Sequence, residues 1–414
     1  MKYKRPSMKK LYVLVFMATL FTACDKPIVT PEPDPTVDGS GFVRVKEGKL
    51  VDENNNPLEL YSINVGSWLL WEGWIWGGGL NSEKEVFENI ENNTSKTFAD
   101  NFRQHIYNDF ITEADIVRMK ECGFNSVCVN INHRLLDDDI PNGNIIDDRF
   151  VPIDKIINLC KKHGMYAILE MHSAPGGQSP YFVCDPDDKK LWDSEDNKNQ
   201  LVKLWTAIAE RYKNNKTVAA YDLLGEPSPW FAADLIELYG RVIKGIRSVD
   251  KSHMLMLQAT DFTKKLDIFS KPLDNNQIFS IHFYTWYLLI PIPEADWVKD
   301  FEKFDAFSKK MGVPVYIGEW GEASAGDLAK VAKYIRDPKY NFCGDAFWTW
   351  KKVQITDSPA LNKINASDDW KRLIKGEAKQ STKTYEQIAE EFLQNSKIEN
   401  TVFSQELKNI MLTR

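Results

Sequence analysis

Only six histidines are spread through the 414 residues, and no two form an H-x-x-x-H pair. Imidazoles on one helix face are the commonest start of a zinc site, so neither a metal nor another cofactor is expected. Cysteine is equally sparse, and no pair of the six has zinc-finger spacing. Without Cys24 the count is odd. Buried free thiols at Cys122, Cys128, Cys160, Cys184 and Cys343 are the expectation, with disulfides the alternative. No cluster of Lys or Arg lies beyond the N-terminus, and the formal net charge is −7. That excludes a nucleic-acid partner, whose phosphates require clustered cations. No G-x-G-x-x-G turn follows the first candidate strand, which removes the signature of a dinucleotide-binding sheet.

Aromatic residues are abundant: 13 Trp, 15 Tyr and 22 Phe. Indoles fill cores, but their flat faces also stack on pyranose rings. The N-terminus carries a basic stretch (Lys2, Lys4, Arg5, Lys9, Lys10) and then an apolar run, Leu11 to Phe21, too short to span a bilayer. The run ends in Leu20-Phe21-Thr22-Ala23-Cys24, which resembles a bacterial lipobox. Residues 1–23 therefore read as a lipoprotein signal peptide and Cys24 as the lipid anchor; an ordinary secretory signal cut nearby is the alternative. Residues 24–40, rich in Pro and Asp, read as a semi-extended tether. The expected location is the envelope of a Gram-negative bacterium, on the periplasmic face of the outer membrane or the cell surface. The lipid would be the only membrane contact, and the chain would act as a monomer.

Residues 41–414 read as one domain. Phe42–Val51 and Leu58–Asn64 look like strands around the turn Asp52–Pro57, a short N-terminal hairpin. Eight short apolar strands then alternate with helical patterns: Leu60–Asn64, Phe124–Ile131, Met165–Met171, Val218–Leu224, Met254–Gln258, Ile278–Phe283, Val313–Gly318 and Cys343–Trp348. Thr112-Glu113-Ala114-Asp115 has the form of a capping box. Ile153–Cys160 has helical spacing and ends in Lys161-Lys162-His163-Gly164, which suits a helix C-terminus. Eight such units predict a closed α/β barrel of the (β/α)8 type, with a C-terminal helical tail after Lys352.

Chemistry in such barrels sits at the C-terminal strand ends. After strand three comes His172; after strand four, Gly225-Glu226-Pro227; after strand six, His282 and Tyr284; after strand seven, Glu319-Trp320; strand eight ends in Trp348-Thr349-Trp350. Two carboxylates, two imidazoles, a phenol and indoles at one mouth suit glycoside cleavage. There, one carboxylic acid protonates the leaving oxygen while the other carboxylate attacks the anomeric carbon, with a separation of ~5–5.5 Å in the retaining case. Trp68, Trp71, Trp74 and Trp76 crowd one segment, and Trp74 with Glu72 is expected to shape a sugar pocket. Glu170 and Asp222 read as buried structural hydrogen-bonders, and Glu322 as a loop charge.

Residues 58–352 resemble glycoside hydrolase family 5. The carriers are Ser62–Leu69, Gly123–Val127, Ile168–Gly176, Val218–Pro227, Ile281–Tyr284, Ile317–Trp320 and Phe347–Lys351, in that order and spacing. Gly66-x-Trp68-Leu69 with Glu72-Gly73-Trp74-Ile75 is most similar to the exo-β-1,3-glucanase branch. The resemblance implies Glu226 as acid/base and Glu319 as nucleophile. It places His172, His282, Tyr284 and Trp348 around the cleavage subsite, with an oligo- or polysaccharide as substrate. Two positions depart from the pattern. The family has Asn directly before the acid/base, where this chain has Gly225, and Arg on strand two, where it has Cys128. An altered substrate, rescue by Asn130, Asn132 or Arg134, or a barrel that binds carbohydrate without cutting it are the readings this opens. The covalent intermediate can also pass to a sugar instead of water.

Overall fold

The protein is described here from a computed structural model covering residues 27–137, 143–188, 190–287, 290–354 and 358–413. The signal peptide and Cys24 lie outside the described residues. Eight parallel strands close into a barrel: β1 (Leu60–Asn64), β2 (Ser126–Asn132), β3 (Tyr166–Ser173), β4 (Val218–Asp222), β5 (Met254–Gln258), β6 (Gln277–Tyr284), β7 (Val315–Gly321) and β8 (Phe342–Trp348). Each pairs with the next, and β8 closes on β1 through Gly344 opposite Leu60 and Phe347 opposite Ile63. The expected architecture is therefore observed.

The hairpin is present but turns elsewhere than expected. Arg44–Lys46 pairs antiparallel with Lys49–Val51. The two linking residues, Glu47 and Gly48, have φ of 51° and 73°, the tight turn that two left-handed residues allow. Asp52–Pro57 instead loops from the hairpin into β1. Val43 and Leu50 of the hairpin join one apolar cluster with the barrel interior, including Leu60, Cys128, Ile168, Ala220, Met254, Ile278 and Tyr316. The hairpin thus seals the N-terminal end of the barrel, opposite the strand ends that carry the residues expected to do chemistry.

Helices alternate with the strands: α1 (Glu83–Asn93), α2 (Lys96–Asp109), α3 (Glu113–Glu121), α4 (Val151–Lys162), α5 (Glu195–Tyr212), α6 (Ala232–Arg247), α7 (Glu294–Met311) and α8 (Ala325–Ile335). The capping box at Thr112 opens α3 as expected, with Asp115 accepting from the Thr112 backbone. Asp115 does more than cap. It is fully buried, pairs with Lys351 Nζ at 2.7 Å and accepts from Trp350 Nε1 at 2.8 Å, tying α3 to the exit of β8.

One link departs from the pattern. Between β5 and β6 the described residues hold only a short 3-10 turn, Leu266–Ile268. A parallel sheet face needs cover, and residues 27–40 lie beside this link. Asp34 pairs with Lys251, Glu32 pairs with Lys271, Asn275 donates to the Asp34 carbonyl, and Val37 is buried. This part of the expected tether therefore rests on the barrel wall.

The tail forms α9 (Asp368–Leu373), α10 (Tyr385–Ser396) and α11 (Gln405–Met411). Trp370 stacks on Phe392 at 3.9 Å and donates to the Trp76 carbonyl. Trp68, Trp71 and Trp76 are fully buried, so three of the four clustered indoles are core. Truncating any one of them is expected to cost about 3–5 kcal/mol.

Candidate functional site

The polar layer at the C-terminal end gathers every residue expected there. Strand alternation turns Glu170 and His172, two apart on β3, to the same face. Glu226 follows β4 and holds a left-handed backbone, φ 45°, a strained conformation characteristic of functional positions. Gln258 ends β5, His282 and Tyr284 end β6, Glu319 lies on β7 and Trp348 ends β8. Trp74, the one partly exposed indole of its cluster, donates from Nε1 to Glu72 Oε2 at 2.8 Å.

His282 Nδ1 stands between the two glutamates, 2.8 Å from Glu226 Oε1 and 3.4 Å from Glu319 Oε2. One oxygen of Glu226 and one of Glu319 lie within 4.8 Å of each other. Tyr284 donates its hydroxyl to Glu319 Oε2 at 2.7 Å. Glu319 Oε1 is buried without a hydrogen bond, and His172 Nδ1 stands 3.9 Å from it. His172 Nδ1 is itself 2.9 Å from Glu170 Oε1. Its ring lies nearly parallel to that of His282, with Trp348 stacked at 6.1 Å.

Burial sets the electrostatics. It pushes the Glu319 carboxyl up to about 7, against the charges of His282 and His172, which hold it down. Burial disfavours a charged His282, but Glu319 and Glu226 outweigh it and raise that imidazole to about 9. His172 is likewise held charged well above the usual imidazole range, first by Glu170, despite its burial. Burial raises Glu72 to about 8, and burial followed by the Glu170 charge raises Asp222 to about 8. At neutral pH two imidazolium ions therefore face Glu170, Glu226 and Glu319, while Glu72 and Asp222 stay protonated. The groupings Glu170–His172–Glu319 and Glu226–His282–Glu319 are compact, and within them the carboxylates hold both imidazoles charged.

The cellulase profile of glycosyl hydrolase family 5 matches residues 83–354. The chain belongs to glycosyl hydrolase family 5. It is 27% identical over 344 residues to a beta-xylosidase of Phanerodontia chrysosporium, spanning 78% of this chain and 71% of that protein. It is 24% identical to endoglucanase C of Acetivibrio thermocellus, over 69% of this chain and 75% of that one. Among solved structures, an endogalactoceramidase shares the fold with a TM-score of 0.60 at 18% identity, over 86% of this chain and 84% of the other. The family and these relatives make the protein a glycoside hydrolase.

Of the two departures from the family pattern, Gly225 has a structural explanation and Cys128 has none. A Cβ on Gly225 would come within 2.7 Å of His172 Nδ1 and 2.8 Å of Glu170 Oε1, so the space beside residue 225 is taken by that ion pair. Cys128 is buried, with Sγ 3.7 Å from Glu170 Oε2. Of the three proposed substitutes, only Asn130 reaches the site, donating to Glu170 Oε2. Asn132 donates to Glu83 and Asp185, and Arg134 pairs with Asp185 and Asp187, bracing the loops instead. Glu322 pairs with Lys352 at 2.9 Å, against a burial that raises its carboxyl.

Several residues of this GH5 site were not singled out from the sequence. Gln258 accepts from the Glu226 backbone N–H with its Oε1 and donates through Nε2 to both Glu170 and Asp222. Gln178 donates to the carbonyls of His172 and Gly225, locking the β3 and β4 loops together. Thr263 accepts from the His282 backbone, and Trp286 packs on Tyr284 at 5.1 Å. Amides and hydroxyls carry no periodic signal; only Gln258, at a strand's C-terminal end, sat where such residues could be sought. The five described cysteines are free and buried, as expected.

Proposed function

We propose that the protein is a retaining β-glycosidase acting on oligo- or polysaccharides by double displacement, with Glu226 as acid/base and Glu319 as nucleophile. The observation that carries this is the approach of their oxygens to within 4.8 Å across His282. An inverting pair stands roughly 6.5–9.5 Å apart to admit a water between sugar and base, and a retaining pair stands closer. Glu319 attacks the anomeric carbon as the glycosidic C–O bond breaks, and the proton held between Glu226 and His282 goes to the leaving oxygen. Glu226 then takes a proton from water, whose oxygen displaces Glu319. Tyr284 and the two imidazolium ions offset the charge on Glu319 before attack. His172, Trp348, Glu72 and Trp74 wall the pocket that receives the sugar.

The space beside Gly225 supports an altered site rather than an emptied one, because the Glu170–His172 ion pair occupies it. The test is a panel of aryl β-glycosides and β-glucans, with the anomer of the first product read by NMR. Retention, with a 2-fluoro glycoside trapped on Glu319 by mass spectrometry, is expected. No turnover, an inverted product, or turnover unchanged in Glu319→Ala refutes the proposal.

The N-terminal residues support a second element of the reading, attachment to the envelope by lipid on Cys24. Cys24→Ser is expected to release the protein from the membrane fraction; unchanged fractionation refutes it.

A further inference from the structure

Of the Glu170–His172 pair, His172 lends its charge to Glu319 in the displacement, whereas Glu170 has no part in it. Glu170 is 2% exposed and fully engaged. Oε1 accepts from His172 Nδ1 at 2.9 Å and from Gln258 Nε2 at 3.1 Å; Oε2 accepts from Asn130 Nδ2. His172 is 2% exposed, with the rings of His282 and Trp348 near-parallel to its own at 6.4 and 6.1 Å. Its Nδ1 lies 3.9 Å from Glu319 Oε1, the one oxygen of that carboxylate with no hydrogen bond. Residue 225 has no side chain to intrude on the pair.

Resting on the reading of Glu319 as nucleophile, we propose that Glu170 is a positioning residue: it holds the His172 imidazole oriented and charged against the unbonded oxygen of Glu319, so that a buried carboxylate–imidazolium pair supports that carboxylate from below. The groups facing His172 are Glu170 on β3, Glu319 on β7, Glu226 after β4, Glu72 after β1 and His282 on β6. Those facing Glu170 are Cys128 and Asn130 on β2, Asp222 on β4, Gln258 on β5 and His282 on β6. Glu170 is the only carboxylate within hydrogen-bonding distance of His172 Nδ1 among the described residues. Charge on that ring favours ionised Glu319, the form that attacks.

The test is Glu170→Gln in the whole chain. The variant keeps the shape and an acceptor for Gln258 but removes the charge. Two readouts are needed. In 15N-histidine NMR, the His172 ring of the wild type is expected to be charged at pH 7 and that of E170Q neutral. In the pH profile of kcat/KM on an aryl β-glycoside, the acidic limb is expected to move up, because the lost His172 charge held Glu319 down more strongly than the lost Glu170 charge held it up, with a loss of up to about tenfold below the limb and KM unchanged. A ring still charged in E170Q, or a uniform loss at every pH with the limb in place, overturns the proposal, because a merely structural residue would give that result. If E170Q does not fold, Glu170→Asp takes its place: a smaller shift of the same sign is expected, and an unmoved limb overturns the idea. If the wild type hydrolyses nothing, the reading of Glu319 fails, and the NMR arm still decides whether Glu170 sets the charge of His172.

Discussion

Adding one carbon at residue 225 should do more harm than its size suggests. A Cβ there would lie 2.7 Å from His172 Nδ1 and 2.8 Å from Glu170 Oε1, about 0.7 and 0.6 Å inside the 3.4 Å at which such contacts become ordinary. Neither neighbour can give way cheaply. Both side chains are at most 3% exposed, and they are bonded to each other at 2.9 Å. The methyl must push the pair apart or push it toward Glu319. Parting the pair forfeits a charged hydrogen bond of about 1.5–3 kcal/mol, and a buried charge left without its partner costs about 3–5 kcal/mol. Displacement toward Glu319 by a good part of an ångström is worth about 100-fold in rate. Gly225→Ala is therefore expected to lose roughly 3 kcal/mol of stability and about 100-fold in kcat. Gly225→Asn, which installs the family's own residue, is expected to be worse. Gly326→Ala on α8 is the control: its Cβ meets nothing nearer than 3.9 Å, and in a helix the change should be neutral or stabilising by up to ~1 kcal/mol. Thermal unfolding by circular dichroism and steady-state kinetics on an aryl β-glycoside read both quantities. A Gly225→Ala enzyme with the melting temperature and kcat of the wild type would show that the ion pair does not occupy this space.

The pH profile should be a bell between about 7 and about 9. Glu319 must be ionised, so activity falls as pH drops through about 7; His282 must keep the proton it donates toward Glu226, so activity falls as pH rises through about 9. An optimum near pH 5 would contradict these charge states. Tyr284→Phe removes a donor to the Glu319 carboxylate, for a loss of roughly 10- to 100-fold in kcat with little change in KM; an undiminished kcat would remove Tyr284 from the mechanism. Asp115→Ala strands the fully buried Lys351 ammonium and the Trp350 indole N–H. A loss of about 3–5 kcal/mol by denaturant titration is expected, and a loss below 1 kcal/mol would show that water or a rearranged partner replaces it.

Much of this was legible in the chain before any coordinates. Short apolar runs separated by helical patterns determined the eight strands and hence the barrel, because run length and crossover length are local properties. The placement of Glu226, Glu319, His172, His282 and Tyr284 followed, since each stands at a strand's C-terminal end and the closed barrel brings those ends together. What sequence reading could not reach were relations between segments far apart. Trp71, Trp74 and Trp76 are alike in the sequence, yet only packing of the tail against α1 and α2 made two of them core and left Trp74 beside Glu72. The tight turn at Glu47-Gly48, the missing helix between β5 and β6 and the docking of residues 27–40 over that link are likewise decided by what the rest of the molecule leaves uncovered. Gly225 and Cys128 looked like losses in the sequence. In three dimensions the space beside Gly225 holds the Glu170–His172 pair. A carboxylate and an imidazole two residues apart on one strand become an ion pair only when neighbouring strands exclude water and supply Asn130 and Gln258 to fix them.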